Sequence, residues 1–354
     1  MSSSSSPVTR RTAVVALSAA LGASLAALPV REAQAQSLTP VRFVLDWKLQ
    51  GIHAWYYLAE DRGYFAAEKL AVTIDQGDGS GAAVTKVMAG AYDAGFGDVN
   101  AIVQNAAAKP GAAPVMVYMI YNRAPFALIV KSSSPIKTLK DLEGRTLGSP
   151  AGGAALRMFP LMAAKNGVDA SKVKWTHMAP NLQEQMMVKD HVEGSAVFSV
   201  TSYMNLVAQG VDPDKDIRWF HYGDHGVDLY GNGVLVSRQF LKDRPQAVAG
   251  LVRAVNKALR DTVADPDAAI AALMKREPLL NQALEKRRLL YTLRTVMLTP
   301  EVAAHGMGDV SDARMTRAIA QVKEAFELAS APAAGEVFDR RFLPPPAERR
   351  IAAP

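Results

Sequence analysis

The strongest constraint on this chain is a double run of alternating strand-like and helix-like segments. The first run covers 41–131 and the second 145–222. In the first, VRFVLDW (41–47) reads as a strand. Residues 52–62 read as a helix with Ile52, Tyr56 and Ala59 on one face. LAVTID (70–75) is a strand, 82–90 a helix, DAGFGD (93–98) a short buried strand and 99–108 a helix. PVMVYMI (114–120) and FALIVK (126–131) are strands. The second run repeats the pattern through RTLGSP, GGAALRMFPLMAAKNG, VKWTHM, a helix near 181–190, SAVFSV, a helix over 201–209 and IRWFHY. GVLVSRQF (233–240) reads as a returning strand, and 244–329 is nearly all helix. Such alternation predicts an α/β protein with mostly parallel sheets flanked by helices. Two lobes are expected: 38–131 plus 230–340, and 132–229. They would be joined at FALIVK and near YGNGVLV, with 341–354 a flexible tail.

Composition excludes several classes. With 49% apolar and 21% charged residues, the chain can build an ordinary core. It has no cysteine, so disulfides, a thiolate nucleophile and a cysteine-based zinc site are ruled out. Residues 1–35 read as a cleaved export signal: Arg10-Arg11, an apolar run at 12–30, and AQA at 33–35. Sec and twin-arginine routes both fit, and a periplasmic location is expected. Without this segment the net charge falls from +6 to +4, with both signs interspersed. That gives no footprint for nucleic acid, and KRR at 286–288 reads as a solvated helix face.

In open α/β sheets, ligands bind beyond the carboxyl ends of the strands. Several strands here end in a Gly, Ser or Asp turn that opens a helix, where free N–H groups gather. The candidates follow from that rule. Asp46 could accept hydrogen bonds from a ring amine or cap a helix. Trp47 and Tyr56 could stack on a planar ring, although Tyr56 also lies on the helical core stripe. His53 reads as a ligand donor or as structural. Gly79, Ser80 and Gly81 mark one turn and Gly152 and Gly153 its counterpart in the second run. Asp98 and Asn100 follow a buried strand, and Asp98 also suits a helix cap. Thr201 is a second-lobe candidate. Asp228, Tyr230 and Asn232 either contact ligand or shape the crossover. No GxSxG elbow or Walker loop occurs. His221 and His225 sit four apart in a loop, and no metal site is expected.

Three blocks, LDW, HAWYYLAEDRGYF and GDGSGAAVTKVMAGAYDAGFGD, occur in that order. They resemble the periplasmic binding proteins for thiamine-pyrimidine precursors. These belong to a wider group of ABC-importer binding proteins, with relatives for sulfonates, taurine, nitrate and riboflavin. SPIKTLKDLEGRTLGSPAGGA and DLYGNGVLVSRQFLKDRPQAVAGLVRAVNKAL resemble later blocks of the same group, so the likeness covers most of 40–265. The pyrimidine binders carry Pro-Asn and then Asn or Asp between Trp and His. This chain carries KLQGI there. The resemblance implies a type II periplasmic-binding fold with two crossover strands as a hinge. It implies a monomer without cofactor or catalytic residue, delivering a small nutrient to the transmembrane subunits of an ABC permease. The expected cargo is aromatic or heterocyclic, thiamine-pyrimidine-like, with sulfonate, nitrate or aromatic carboxylate as the alternative. The family's eukaryotic enzyme branch uses a Cys-rich motif that is absent here. A pyrimidine-metabolising enzyme and a ligand-presenting sensor are the other classes.

Overall fold

In the computed structural model, which describes residues 38–351, two five-stranded sheets repeat one topology. The first contains β1 (Thr39–Val44), β2 (Leu70–Asp75), β3 (Ala94–Asp98) and β4 (Val115–Met119). The second contains β5 (Phe126–Lys131), β6 (Thr146–Ser149), β7 (Lys174–His177), β8 (Gly194–Phe198) and β9 (Ile217–His221). β10 (Asn232–Val236) returns to the first. The strand orders are β2-β1-β3-β10-β4 and β7-β6-β8-β5-β9. In each sheet four strands run parallel, and one, β10 or β5, runs antiparallel between the third and fourth. The export signal expected at 1–35 lies outside the described residues.

The helices used below are α1 (Ala54–Asp61), α2 (Ser80–Met88), α3 (Val99–Ala108), α4 (Ala154–Lys165), α5 (Gln183–Val188) and α6 (Ser199–Ala208). After β10 come α7 (Pro245–Ala264), α8 (Pro266–Arg276), α9 (Gln282–Thr292) and α10 (Asp312–Ala325). α7 shows why this stretch is helical. Val248, Leu251, Val252, Val255 and Leu259 recur at helical spacing and are all buried. Asp265 then accepts from Ala268 N–H and starts α8 behind Pro266. One core packs α1 and α7 against the first sheet through Phe43, Trp55, Phe96 and Leu251. Another joins α2 and α3 to α4, the second sheet and α10 through Val84, Ile102, Met158, Phe220 and Met315.

The structure changes four expectations. FALIVK, assigned to the first lobe, pairs with β8 and β9 in the second sheet. The chain therefore crosses earlier, through 120–125, and back through 222–231. SRQF is not strand: Ser237 accepts from Phe240 N–H and caps a short helix, Arg238–Asp243. In KRR, Lys286 and Arg287 reach solvent, but Arg288 is 2% exposed. The tail expected to be loose is anchored. Arg349 is buried and donates from Nε to the Pro344 carbonyl at 2.9 Å. Its Nη1 donates to the carbonyls of His305 and Met307, and its Nη2 meets Asp309. Truncating it strands several buried acceptors. Arg349→Ala should therefore lower unfolding free energy by about 2–4 kcal/mol. Arg350→Ala, at an exposed neighbour, should stay within about 0.5 kcal/mol. Urea denaturation of both variants checks this.

Candidate ligand-binding cleft

The strand ends of the two sheets face each other across a cleft of about 360 Å³ of empty space, mouth included. The first sheet contributes Asp46 and Trp47 after β1, and Ser80 at the start of α2. The second contributes Ser149 at the end of β6, Pro150 after it, and Gly153 to Ala155 at the start of α4. Gln183 opens α5, Ala196 to Phe198 end β8, and Thr201 lies in the first turn of α6. The N-termini of α2, α4 and α6 thus meet at one place, offering N–H donors with partial positive charge. The lining holds a single ionisable side chain, Asp46.

Asp46 is 2% exposed, and the fold aims it. β1 stops at Val44, so Asp46 sits in the turn beyond the sheet. Its Oδ1 lies 2.8 Å from His53 Nε2, and its Oδ2 accepts from Asn232 Nδ2 at 2.7 Å. His53 Nδ1 accepts the backbone N–H of Gln50 at 3.1 Å. That bond puts the imidazole proton on Nε2, pointing at the carboxyl. His53 is fully buried and outside the lining, and it holds the Asp46 carboxyl in place. Asn232 does the same from β10.

Gly79, Gly81 and Gly152 mark a close approach of the two backbones. Gly79 has φ +138°, donates its N–H to the Asp46 carbonyl at 2.8 Å, and has no room for a side chain. A Cβ there would lie 2.3 Å from the Gly152 carbonyl oxygen. Gly81 N–H donates to that same carbonyl at 3.2 Å, joining the two halves. Gly153 lines the cleft and precedes α4. The Ser80 hydroxyl is buried without a protein partner.

A second bridge closes the far side. Arg288 on α9 pairs with Glu285, Nε to Oε2 at 2.9 Å, and Glu285 Oε2 also accepts Gly51 N–H at 2.6 Å. The same guanidinium donates to the Thr201 carbonyl and, at 3.0 Å, to Asn205 Oδ1 on α6. Tyr291 stacks on Tyr203 beside it, ring centroids 5.0 Å apart.

Five candidates stand elsewhere. Tyr56 packs among Phe43, Trp55 and Phe96 in the core, as its helical stripe indicated. Asp98 caps α3, accepting from the N–H groups of Asn100 and Ala101. Asn100 Nδ2 donates to Asp98 and to the Tyr230 carbonyl. The Tyr230 hydroxyl donates to Glu301 and accepts Ser311 N–H. The Arg314 guanidinium lies 4.0 Å from its ring centroid, and Asp228 accepts from Arg314 at 2.8 Å. These residues fix the return crossover. Conversely, Ser149, Gln183 and Phe198 line the cleft and were not singled out. Ser149 and Phe198 end strands β6 and β8, so the strand-end rule reached them. Gln183 follows no motif.

Burial raises the Asp98 carboxyl to about 6, above its ordinary range. The folded chain therefore binds this proton more tightly than the unfolded chain does. Stability from this group should fall as pH rises from about 4 to about 6, by roughly 3 kcal/mol. Asp98→Asn keeps a capping oxygen and should flatten that part of the stability profile. Chemical denaturation at pH 4, 5, 6 and 7 measures it, and an unchanged slope would count against a protonated Asp98.

Sequence relatives are binding proteins and, more weakly, synthases. The chain is 26% identical over 297 residues to the riboflavin-binding protein RibY of Chloroflexus aurantiacus, covering 82% of each. It is 24% identical over 263 residues to the formylaminopyrimidine-binding protein of Halalkalibacterium halodurans, 71% of this chain and 76% of the relative. A 4-amino-5-hydroxymethyl-2-methylpyrimidine phosphate synthase of Legionella pneumophila is 22% identical, covering 86% and 92%. Among solved structures, the alkanesulfonate-binding protein SsuA from Xanthomonas axonopodis pv. citri, bound to MOPS, superposes with a TM-score of 0.64 at 18% identity. That match covers 86% of this chain and 99% of the other. Two mixed sheets facing across a cleft are thus the fold of periplasmic substrate-binding proteins. Residues 50–269 match the family model NMT1/THI5 like, and the chain belongs to the NMT1/THI5-like family.

Proposed function

We propose that this chain is the exported, periplasmic solute-binding component of an ABC importer, and that its cargo is a flat heterocycle carrying N–H groups. The observation that carries this reading is the cleft's single ionisable side chain, Asp46, buried beside Trp47 with no Lys, Arg or His in the lining. A carboxylate accepts about four hydrogen bonds, and His53 and Asn232 use two. The remaining lone pairs suit ring or exocyclic N–H groups. The N–H groups at the starts of α2, α4 and α6 suit the acceptors of the same ring. Trp47 supplies a stacking face. A sulfonate or carboxylate would meet Asp46 without a compensating cation, which disfavours the anionic alternative. The names of the two binding-protein relatives, for riboflavin and for formylaminopyrimidine, support the same chemistry.

The reading is capture without conversion. The cleft lining holds no nucleophile beside a base, and the imidazole proton of His53 is already committed to Asp46. The two halves would close on cargo about the crossovers, and the closed form would dock on the permease.

The test uses residues 36–354, stripped of bound compounds by unfolding and refolding. Calorimetric titration covers riboflavin, thiamine pyrimidines, taurine, MOPS and nitrate. A heterocycle should bind and be recovered unchanged. Asp46→Asn and Trp47→Ala should each weaken it about tenfold or more. Tight binding of a sulfonate that neither substitution affects would overturn the cargo class. Chemical alteration of the bound compound would overturn capture without conversion.

A further inference from the structure

Trp47 lines two cavities. The second is a vestibule of about 550 Å³ of empty space, mouth included. Gln50, Asn181, Glu184, Asn205 and Gln209 form much of its wall. Gln183 and Glu184 are consecutive, so the first turn of α5 faces the cleft with one and the vestibule with the other.

Its wall mixes amides with one cation, Lys48, and holds two buried acceptor groups, on Glu184 and Gln50. Glu184 is 1% exposed, and among the described residues no cation pairs with it. Its Oε1 accepts from Gln183 Nε2 at 3.0 Å and from the Ser202 hydroxyl. Gln50 is 9% exposed, and its amide oxygen is buried without a partner. Lys48 also lines this cavity, and its ammonium is held 2.6 Å from Asp78. A buried carboxyl without a cation, and a buried amide oxygen without a donor, are unfavourable unless something supplies donors.

We infer that the cargo carries a hydrogen-bond-donating arm, hydroxylated or amino, which passes Trp47 and ends at Glu184 and Gln50. This rests on the heterocycle reading above and extends it from the ring to the substituent. The vestibule then reads the arm while Asp46 reads the ring.

Two pairs of probes share a ring and differ in the arm. Riboflavin and lumiflavin differ by a polyhydroxylated chain against a methyl. 4-Amino-5-aminomethyl-2-methylpyrimidine and 4-amino-2,5-dimethylpyrimidine differ by an amine. In at least one pair the armed compound should bind residues 36–354 about tenfold tighter or more. Which pair does so separates hydroxyl from amine. Glu184→Gln turns the carboxyl into a partial donor, and Gln50→Leu removes the unpartnered oxygen. Each should cut the preference to about threefold or less while leaving the unarmed compound's affinity unchanged. Equal binding of both members of each pair overturns the arm while leaving the ring reading intact, provided Trp47→Ala still weakens both. A preference that survives both substitutions also overturns it. If neither ring binds, the heterocycle reading fails and this inference fails with it.

Discussion

A carboxyl group buried at the end of β1 obliges the surrounding chain to supply donors, and much of the first half of the molecule is arranged to do so. His53 can serve Asp46 only as the Nε2–H tautomer, and the Gln50 N–H enforces that choice. The turn from 46 to 53 is thereby closed on itself. Asn232 ties the same carboxyl to β10, which lies across β3 from β1. Local turn, sheet and crossover thus share one acceptor, and each loses a partner if it moves alone. The Asp46 carbonyl adds a fourth tie, to Gly79 at the head of α2.

The contact between the halves combines apolar packing with polar ties, among them Arg157 Nη2, which donates to Gln104 Oε1 at 3.2 Å. Gly79, Gly81 and Gly152 let the two backbones meet without side chains between them. Glu285 and Arg288 form a buried ion pair whose remaining donors reach α6. Breaking such a pair is costly, yet forming it stabilises little, because both charges lose their hydration. Arg288 therefore fixes the geometry of the contact more than it contributes net energy. The apolar part, from Val84 and Ile102 to Met158, carries the area.

The alternation of strands and helices was legible because hydrophobic period is a local property. The turn that holds Asp46 and Trp47 was legible as cleft lining because strand ends in such sheets open onto the crevice. Other features were not legible, each for its own physical reason. Asp98 and Asn100 are residue types that cap helices and contact ligands equally well, so only the burial of their partners separates the roles. Arg288 sat in a basic run that reads as solvated, and its partner Glu285 gave no sign of being buried. FALIVK suits either sheet, since a strand buried on both faces carries no mark of its neighbours. Gln183 follows no motif, and its place depends on how the second half docks.

The interleaving of β5 and β10 has a consequence for how the chain matures. The second sheet uses the contiguous stretch 126–221 and is complete in composition once that stretch has emerged. The first sheet is not. β3 and β4 have no strand between them until β10 arrives more than a hundred residues after β4 begins. Until then two strand edges of the first half stand open, and Asp46 lacks Asn232. A chain threaded through a membrane from its N-terminus would thus present its finished half second in sequence but first in time. The cleft, which needs both, would be the last thing to form.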